Sequence, residues 1–175
     1  MPSDRSLLHL QSLPSVGIQR LVARTRAVAN GDLPRLSSRA PIALLCGRPV
    51  PYVRAMVEGG AALLGLRVTT YGPAEVSTLG DAPLAGARLS QVHPAILGAG
   101  LPAGMAAGLA AGSSVPVINA GDGGADPIGA LADLHLLTEW FGSLAGRRLT
   151  WVGDASGLLY DLLGGCGLGL SVAVA

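Results

Sequence analysis

The 175-residue sequence contains no lysine, so its positive charge rests on twelve arginines. A Schiff-base lysine and a phosphate-loop lysine are both excluded by that absence. Aromatic residues make up 3% of the chain, too few for a platform on which bases stack. The net charge of +1 leaves no electrostatic footprint for nucleic acid, and no nucleic-acid partner is expected. No apolar run reaches the ~20 residues of a membrane span without Gly, Pro or charge breaking it. The opening MPSDRSLLHL also lacks the basic start and apolar core of a secretory signal, so the expected location is cytoplasmic, with no membrane contact. Only two cysteines are present, Cys46 and Cys166, each in an apolar segment. Both are expected to be buried, reduced core residues. His9, His93 and His135 show no metal-ligand spacing, and no metal or other cofactor is expected.

What is abundant is small and apolar. Half the residues are hydrophobic, 26 are glycine and only 13% are charged, a composition for tightly packed layers. Apolar residues alternate between helical and strand patterns along the chain. Ser15 to Asn30 reads as an amphipathic helix stopped by Gly31, with Arg20, Arg24 and Arg26 forming a solvated face. A Ser/Pro-containing link, Leu33 to Ala40, leads to a strand at Ile42 to Cys46, a helix at Tyr52 to Leu64 and a strand at Arg67 to Tyr71. Pro94 to Gly98 reads as a strand, Pro102 to Ala111 as a helix, and Val115 to Asn119 as a strand. After the loop AGDGGADP, a helix is predicted over Ile128 to Phe141, then strand Arg148 to Gly153, helix Leu158 to Leu168 and strand Leu170 to Ala175. The predicted class is α/β, a three-layer parallel sheet with helices on both faces, plus a partial second β-α-β unit. The boundary falls in the turn Gly142 to Arg147, because two strands and one helix cannot cover their own apolar faces.

Between the first strand and its helix lies GRPVPYVRAMVE, Gly47 to Glu58. A strand, a turn and a helix N-terminus offer unpaired N–H groups to an anion. Here the turn presents Val50, Pro51, Tyr52 and Val53, and within it Arg54 is the cation. Asp122 and Asp126 share the later glycine-rich loop, where they form either a carboxylate pair or, as favoured by the proline after Asp126, turn and helix N-cap residues. GGCGLG ends a helix instead of opening one, so it is a weak dinucleotide signature.

The stretches SSVPVINAGDG (Ser113 to Gly123) and DPIGALADLHLLTEWFGSLAGRRLTWVGDA (Asp126 to Ala155), with the order of elements, resemble ornithine carbamoyltransferases. The resemblance implies a carbamoyl-phosphate-binding-like domain over residues 1–146 and a remnant of the ornithine-binding domain over 147–175. In that family a Ser-Thr-Arg-Thr-Arg turn holds the phosphate, and a His-Pro-Thr-Gln turn and an Arg-Gly hold the carbamoyl end. Placed on this sequence, the first becomes Val50, Pro51, Tyr52, Val53 and Arg54, and only the last matches. The second becomes Asp126, Pro127, Ile128 and Gly129, the Arg-Gly becomes Ala99 and Gly100, and the paired ornithine-binding asparagines become Ser156 and Gly157. The family's later Cys-Leu-Pro segment has no counterpart in this sequence.

These replacements set the functional expectation. Carbamoyl transfer needs charge-assisted hydrogen bonds on the leaving phosphate and the carbonyl oxygen. Each missing donor costs ~3 kcal/mol of transition-state stabilisation, and Asp126 adds a like charge. The expected function is a degenerate, non-catalytic binding or scaffolding subunit with no catalytic residues. The alternatives are a repurposed enzyme acting on an apolar small molecule in the former pocket, such as a biosynthetic cyclase, or a weakly active carbamoyltransferase. The resemblance also implies a homotrimer built through the first domain. The terminal strand, with no charge or proline on its edge, points to a protein partner at the C-terminal β-α-β.

Overall fold

The computed structural model describes residues 6–32, 34 and 36–175. The start of the chain and the Leu33 and Arg35 positions of the predicted link lie outside the described residues. In order the elements are α1 (Ser15–Ala29), β1 (Ile42–Cys46), α2 (Pro51–Leu63), β2 (Val68–Tyr71), α3 (Pro73–Ser77) and α4 (Ala82–Leu89). There follow β3 (Ile96–Ala99), α5 (Met105–Gly112), β4 (Val117–Asn119), α6 (Pro127–Phe141), β5 (Arg148–Trp151), α7 (Gly157–Leu162) and β6 (Ser171–Val174). One parallel sheet has the order β2-β1-β3-β4, and β5 pairs with β6 in a second, also parallel.

All five residues of β1 are buried, which is why its sequence IALLC is apolar without alternation. Ala43 and Leu45 face one apolar cluster, completed by Ala85, Leu89, Ile96 and Leu109 from the α4 and α5 side. Leu44 and Cys46 face the other, with Val53 and Val57 of α2 and Ala99 of β3. Helices therefore cover both faces of the larger sheet. On one of them the glycine bias has a direct cause. A Cβ on Gly86 of α4 would run into the backbone of Leu109, and one on Gly112 of α5 into the backbone of Pro83. The two helices pack backbone to backbone, which only glycine permits.

The pattern of strands and helices agrees closely with the expectation, and the departures have local reasons. Helices α3 and α4 fall in a stretch to which the sequence reading assigned no element. Each is short; Asp81 caps α4 by accepting from the Leu84 N–H at 3.0 Å. Helix α5 starts at Met105 because Gly104 before it is left-handed, with φ +80°. The predicted last helix stays α-helical only to Leu162, then tightens into a 3-10 segment, Leu163–Leu168, through glycines 164, 165 and 167. Cys166 in that segment is exposed, contrary to the expectation that both cysteines are buried; the winding turns its side chain outward.

The C-terminal β-α-β is also better covered than its sequence implied. Leu162 and Leu170 enter a single core with Leu10, Ile18 and Val22 from the N-terminal region and Ala130 and Leu134 of α6. Its helix is thus sheltered by α1 and α6 of the same chain, while the outer residues of β6 stay exposed. On α1, Arg24 pairs with Asp32 at 3.0 Å and Arg26 with Glu139 at 2.9 Å, and Arg20 is exposed. Among the described residues no helix is long and apolar enough to cross a membrane.

Candidate functional site

The strand order places a topological switch point between β1 and β3, because the chain moves outward to β2 on one side and to β4 on the other. Parallel sheets bind ligands in the crevice beyond the carboxyl ends of strands at such a point. Register puts Cys46 opposite Ala99, so the turn after β1 and the turn after β3 leave the sheet side by side. They touch. A Cβ on Gly47 would lie 2.7 Å from the Gly100 carbonyl oxygen. Gly100 has φ +59°, and the space a side chain would take there is already bounded by Arg48 Cγ and Val50 Cγ1, at 2.7 and 3.0 Å. The side chains of Arg48 and Val50 thus pack against the turn after β3 at the switch point.

The phosphate-turn positions disperse from there. Val50 and Val53 turn inward onto Leu44, Cys46, Ala99 and Ala120. Ala99 is fully buried, so it lines no open space, whereas Tyr52 is 83% exposed to solvent. Pro51 opens α2 at its first turn, where the fixed ring suits a helix start. Arg54 donates from Nε to Glu58 Oε1 at 2.8 Å, and the same oxygen accepts from Thr70 Oγ1 at 2.8 Å. Those two hydrogen bonds, the Thr70 one first, hold the Glu58 carboxyl below its usual range. Burial pushes the Cys46 thiol up, with Arg54 opposing and Glu58 adding to the rise, so this cysteine is a poor nucleophile. A shallow cleft of ≈ 320 Å³ does open beside the turn, lined by Cys46, Arg48, Val50, Arg54 and Thr70. It lies on the β2 side of β1, and neither Tyr52, Ala99, Asp126 nor Gly129 reaches it.

At α6 the carboxylates serve the backbone. Asp126 Oδ1 caps the helix by accepting from the Gly129 N–H at 2.9 Å. Gly129 is glycine for that reason: a Cβ there would come within 2.5 Å of the capping carboxylate. Asp122 is buried and accepts from the N–H groups of Gly104, Gly124 and Ala125 at 3.1, 3.1 and 3.0 Å. The pair is thus turn and cap chemistry, the reading favoured by the adjoining proline. Ser156 caps α7 through Leu159, and Gly157 lies against the backbone of Ala125. The Ser156 hydroxyl is thus engaged by the backbone of its own helix, and Gly157 carries no side chain.

Two residues outside the sequence-derived set matter here. Arg48 stands two residues before the turn window and is the cation that lies across Gly100. Asp161, 1% exposed, accepts from the Leu10 N–H and, at 2.8 Å, from the Asp126 N–H, tying α7 to the N-terminal segment and to the start of α6. Burial raises its carboxyl above the usual range against the pull of both backbone donors and of His9. A lone acid inside the apolar run GLLYDLLGG was its sequence signal. No group of three or more His, Cys, Asp or Glu side chains suited to a metal occurs among the described residues.

No protein-family model matches the chain. Among curated proteins, the ornithine carbamoyltransferase of Mycolicibacterium smegmatis is 37% identical over 123 residues, 69% of this chain and 38% of that protein. That of Thermus thermophilus is 50% identical over 64 residues, 36% of this chain and 21% of the relative. A crystal structure of ornithine carbamoyltransferase from Thermus thermophilus superposes with a TM-score of 0.90 at 27% identity, covering 98% of this chain and 61% of the other. The chain therefore spans about three fifths of the length of the solved relatives it matches. By sequence and fold together, it is a divergent, ornithine carbamoyltransferase-like member of the carbamoyltransferase family.

Proposed function

We propose that the protein is a non-catalytic binding or scaffolding subunit, which keeps the frame of a carbamoyl-phosphate domain over residues 1–146 and the first β-α-β of an ornithine domain over 147–175. The observation that carries this reading is the crevice between β1 and β3. There Arg48 and Val50 pack against Gly100 and Gly47 lies against the Gly100 carbonyl, which narrows the crevice. Around it, Arg54 Nε is engaged by Glu58 and Asp126 caps α6, which leaves Arg48 as the cation of the turn without a carboxylate partner among the described residues. An oxyanion or phosphate is stabilised only by donors already in place, and each one absent costs ~3 kcal/mol. The reading takes the protein as cytoplasmic and as a homotrimer built through the larger α/β unit. Titration calorimetry with carbamoyl phosphate is expected to give no saturable heat in the micromolar range, and an assay with ornithine no citrulline. A tight heat of binding would overturn the reading.

The cleft beside the turn favours one second reading. Its walls are largely apolar with Arg48, Arg54 and Thr70 at the edges, which suits a small apolar molecule carrying one acidic group. Mass spectrometry of small molecules released from the purified protein separates the two: a stoichiometric ligand supports the second reading, and none supports the first.

A further inference from the structure

Two clefts run end to end along the outer side of α6. One, of ≈ 170 Å³, lies between Asp133 of α6 and Trp151 of β5. The other, of ≈ 350 Å³, lies between Phe141 at the end of α6 and Arg147 before β5. Leu137 and Leu149 line both, so the two form one continuous apolar groove. Between Leu137 and Phe141 on α6, Trp140 is 68% exposed.

The ends of this groove carry opposite charge, and neither charge is paired among the described residues. Asp133 accepts no hydrogen bond from a described residue and joins none of the ion pairs among them. Its half-buried position raises its carboxyl above the usual range, with Asp126 adding to the rise, and no cation of the described residues offsets it. At the other end the Arg147 guanidinium stands 5.3 Å over the Phe141 ring, next to Arg148 in the lining of the same cleft, and neither arginine has a carboxylate partner among the described residues. Glu139, the remaining acid of α6, is already taken by Arg26.

We propose that this face is a two-fold interface with a second copy of the same chain. A groove with an acid at one end, a base at the other and apolar residues between is complementary to itself when turned through 180°. Asp133 and Phe141 are separated by about 12 Å along the helix at 1.5 Å per residue. Leu137 stands midway between them. With the axis at Leu137 and the two α6 helices antiparallel, Asp133 of each copy meets Arg147 of the other, and the Trp140 rings close over the apolar centre. The contact relieves an unpaired half-buried carboxylate, covers an exposed apolar strip and sets a single register through two equivalent ion pairs. It uses α6 and β5, away from α2, and so doubles whatever assembly the rest of the surface forms.

Charge exchange tests it. Sedimentation velocity or multi-angle light scattering at micromolar concentration is expected to give the wild type twice the mass of Asp133→Arg and of Arg147→Asp. The double variant Asp133→Arg/Arg147→Asp is expected to regain the wild-type mass. Arg147 lies on the exposed turn, so its variant keeps the test valid if the half-buried Asp133 variant folds poorly, and circular dichroism checks each. Unchanged mass in Arg147→Asp overturns the proposal. So does a double variant that folds but stays at half mass. A wild type that equals the variants in mass while binding an added amphipathic peptide would assign the groove to a different partner.

Discussion

Replacing Asp161 by alanine removes one side chain that holds three segments together. Its carboxylate takes the N–H of Leu10 in the N-terminal segment and that of Asp126 at the start of α6, from a position on α7. Leu10 is fully buried, so its orphaned donor costs about 1–3 kcal/mol; Asp126 is partly exposed and its donor costs about 1 kcal/mol. Against this stands relief from burying a carboxylate, whose cost shows in its raised pKa. The expected net loss is about 1–3 kcal/mol at pH 7, because removing one partner leaves a buried polar group unsatisfied. Asparagine keeps one acceptor but turns an amide N–H₂ towards the other donor, so about half that loss is expected. Urea denaturation followed by circular dichroism reads both. The sign of the pH dependence follows from the direction of the shift. Since the folded protein binds this proton more tightly than the unfolded chain, the contribution is fully present below the ordinary value of 3.8 and is lost as pH rises through the higher folded value. The stability gap between wild type and Asp161→Asn should therefore narrow as pH rises through that window. An alanine variant within about 0.5 kcal/mol of wild type at pH 7 would refute the account of Asp161 as a clasp.

The packing of α4 on α5 predicts that Gly112→Ala, whose new methyl meets the Pro83 backbone, costs about 1–3 kcal/mol, seen as a lower midpoint in thermal melting. A thiol reagent should label Cys166 rapidly in the native protein and Cys46 only after denaturation; fast labelling of both would contradict the burial of Cys46 in β1. Leu162→Ala should destabilise by about 2–5 kcal/mol, since Leu162 sits in the core shared with α1 and α6. For the same reason deletion of Leu149 to Ala175 should expose that core and give aggregated protein; a soluble, cooperatively folding truncation would show that the tail is dispensable to it.

The sequence by itself determined the class and most of the order of elements. A short apolar run such as IALLC between turn signals reads as a strand covered on two sides, and the spacing of apolar residues in α1 and α6 marks one helix face for burial. With the family resemblance it also implied the loss of phosphate ligands, because Val50, Pro51 and Val53 have no side chain that grips a phosphate, whatever their conformation. Local chemistry was legible as well: Asp126 before Pro127 reads as a cap, and it is one. What only the tertiary structure decided are relations between segments distant in the chain. That Val50 folds inward while Tyr52 faces water depends on which side of α2 meets the sheet. That Arg48 packs on the turn after β3 depends on Gly100, fifty-two residues later, lying beside it. Whether α7 is sheltered depends on α1 and α6 sharing one core with it, and Asp161 is a clasp only because Leu10 and Asp126 present their N–H groups to the same carboxylate. Periodicity reports which face of an element is apolar, but not which distant element covers it; that choice is made by packing, where one backbone's shape admits only certain neighbours.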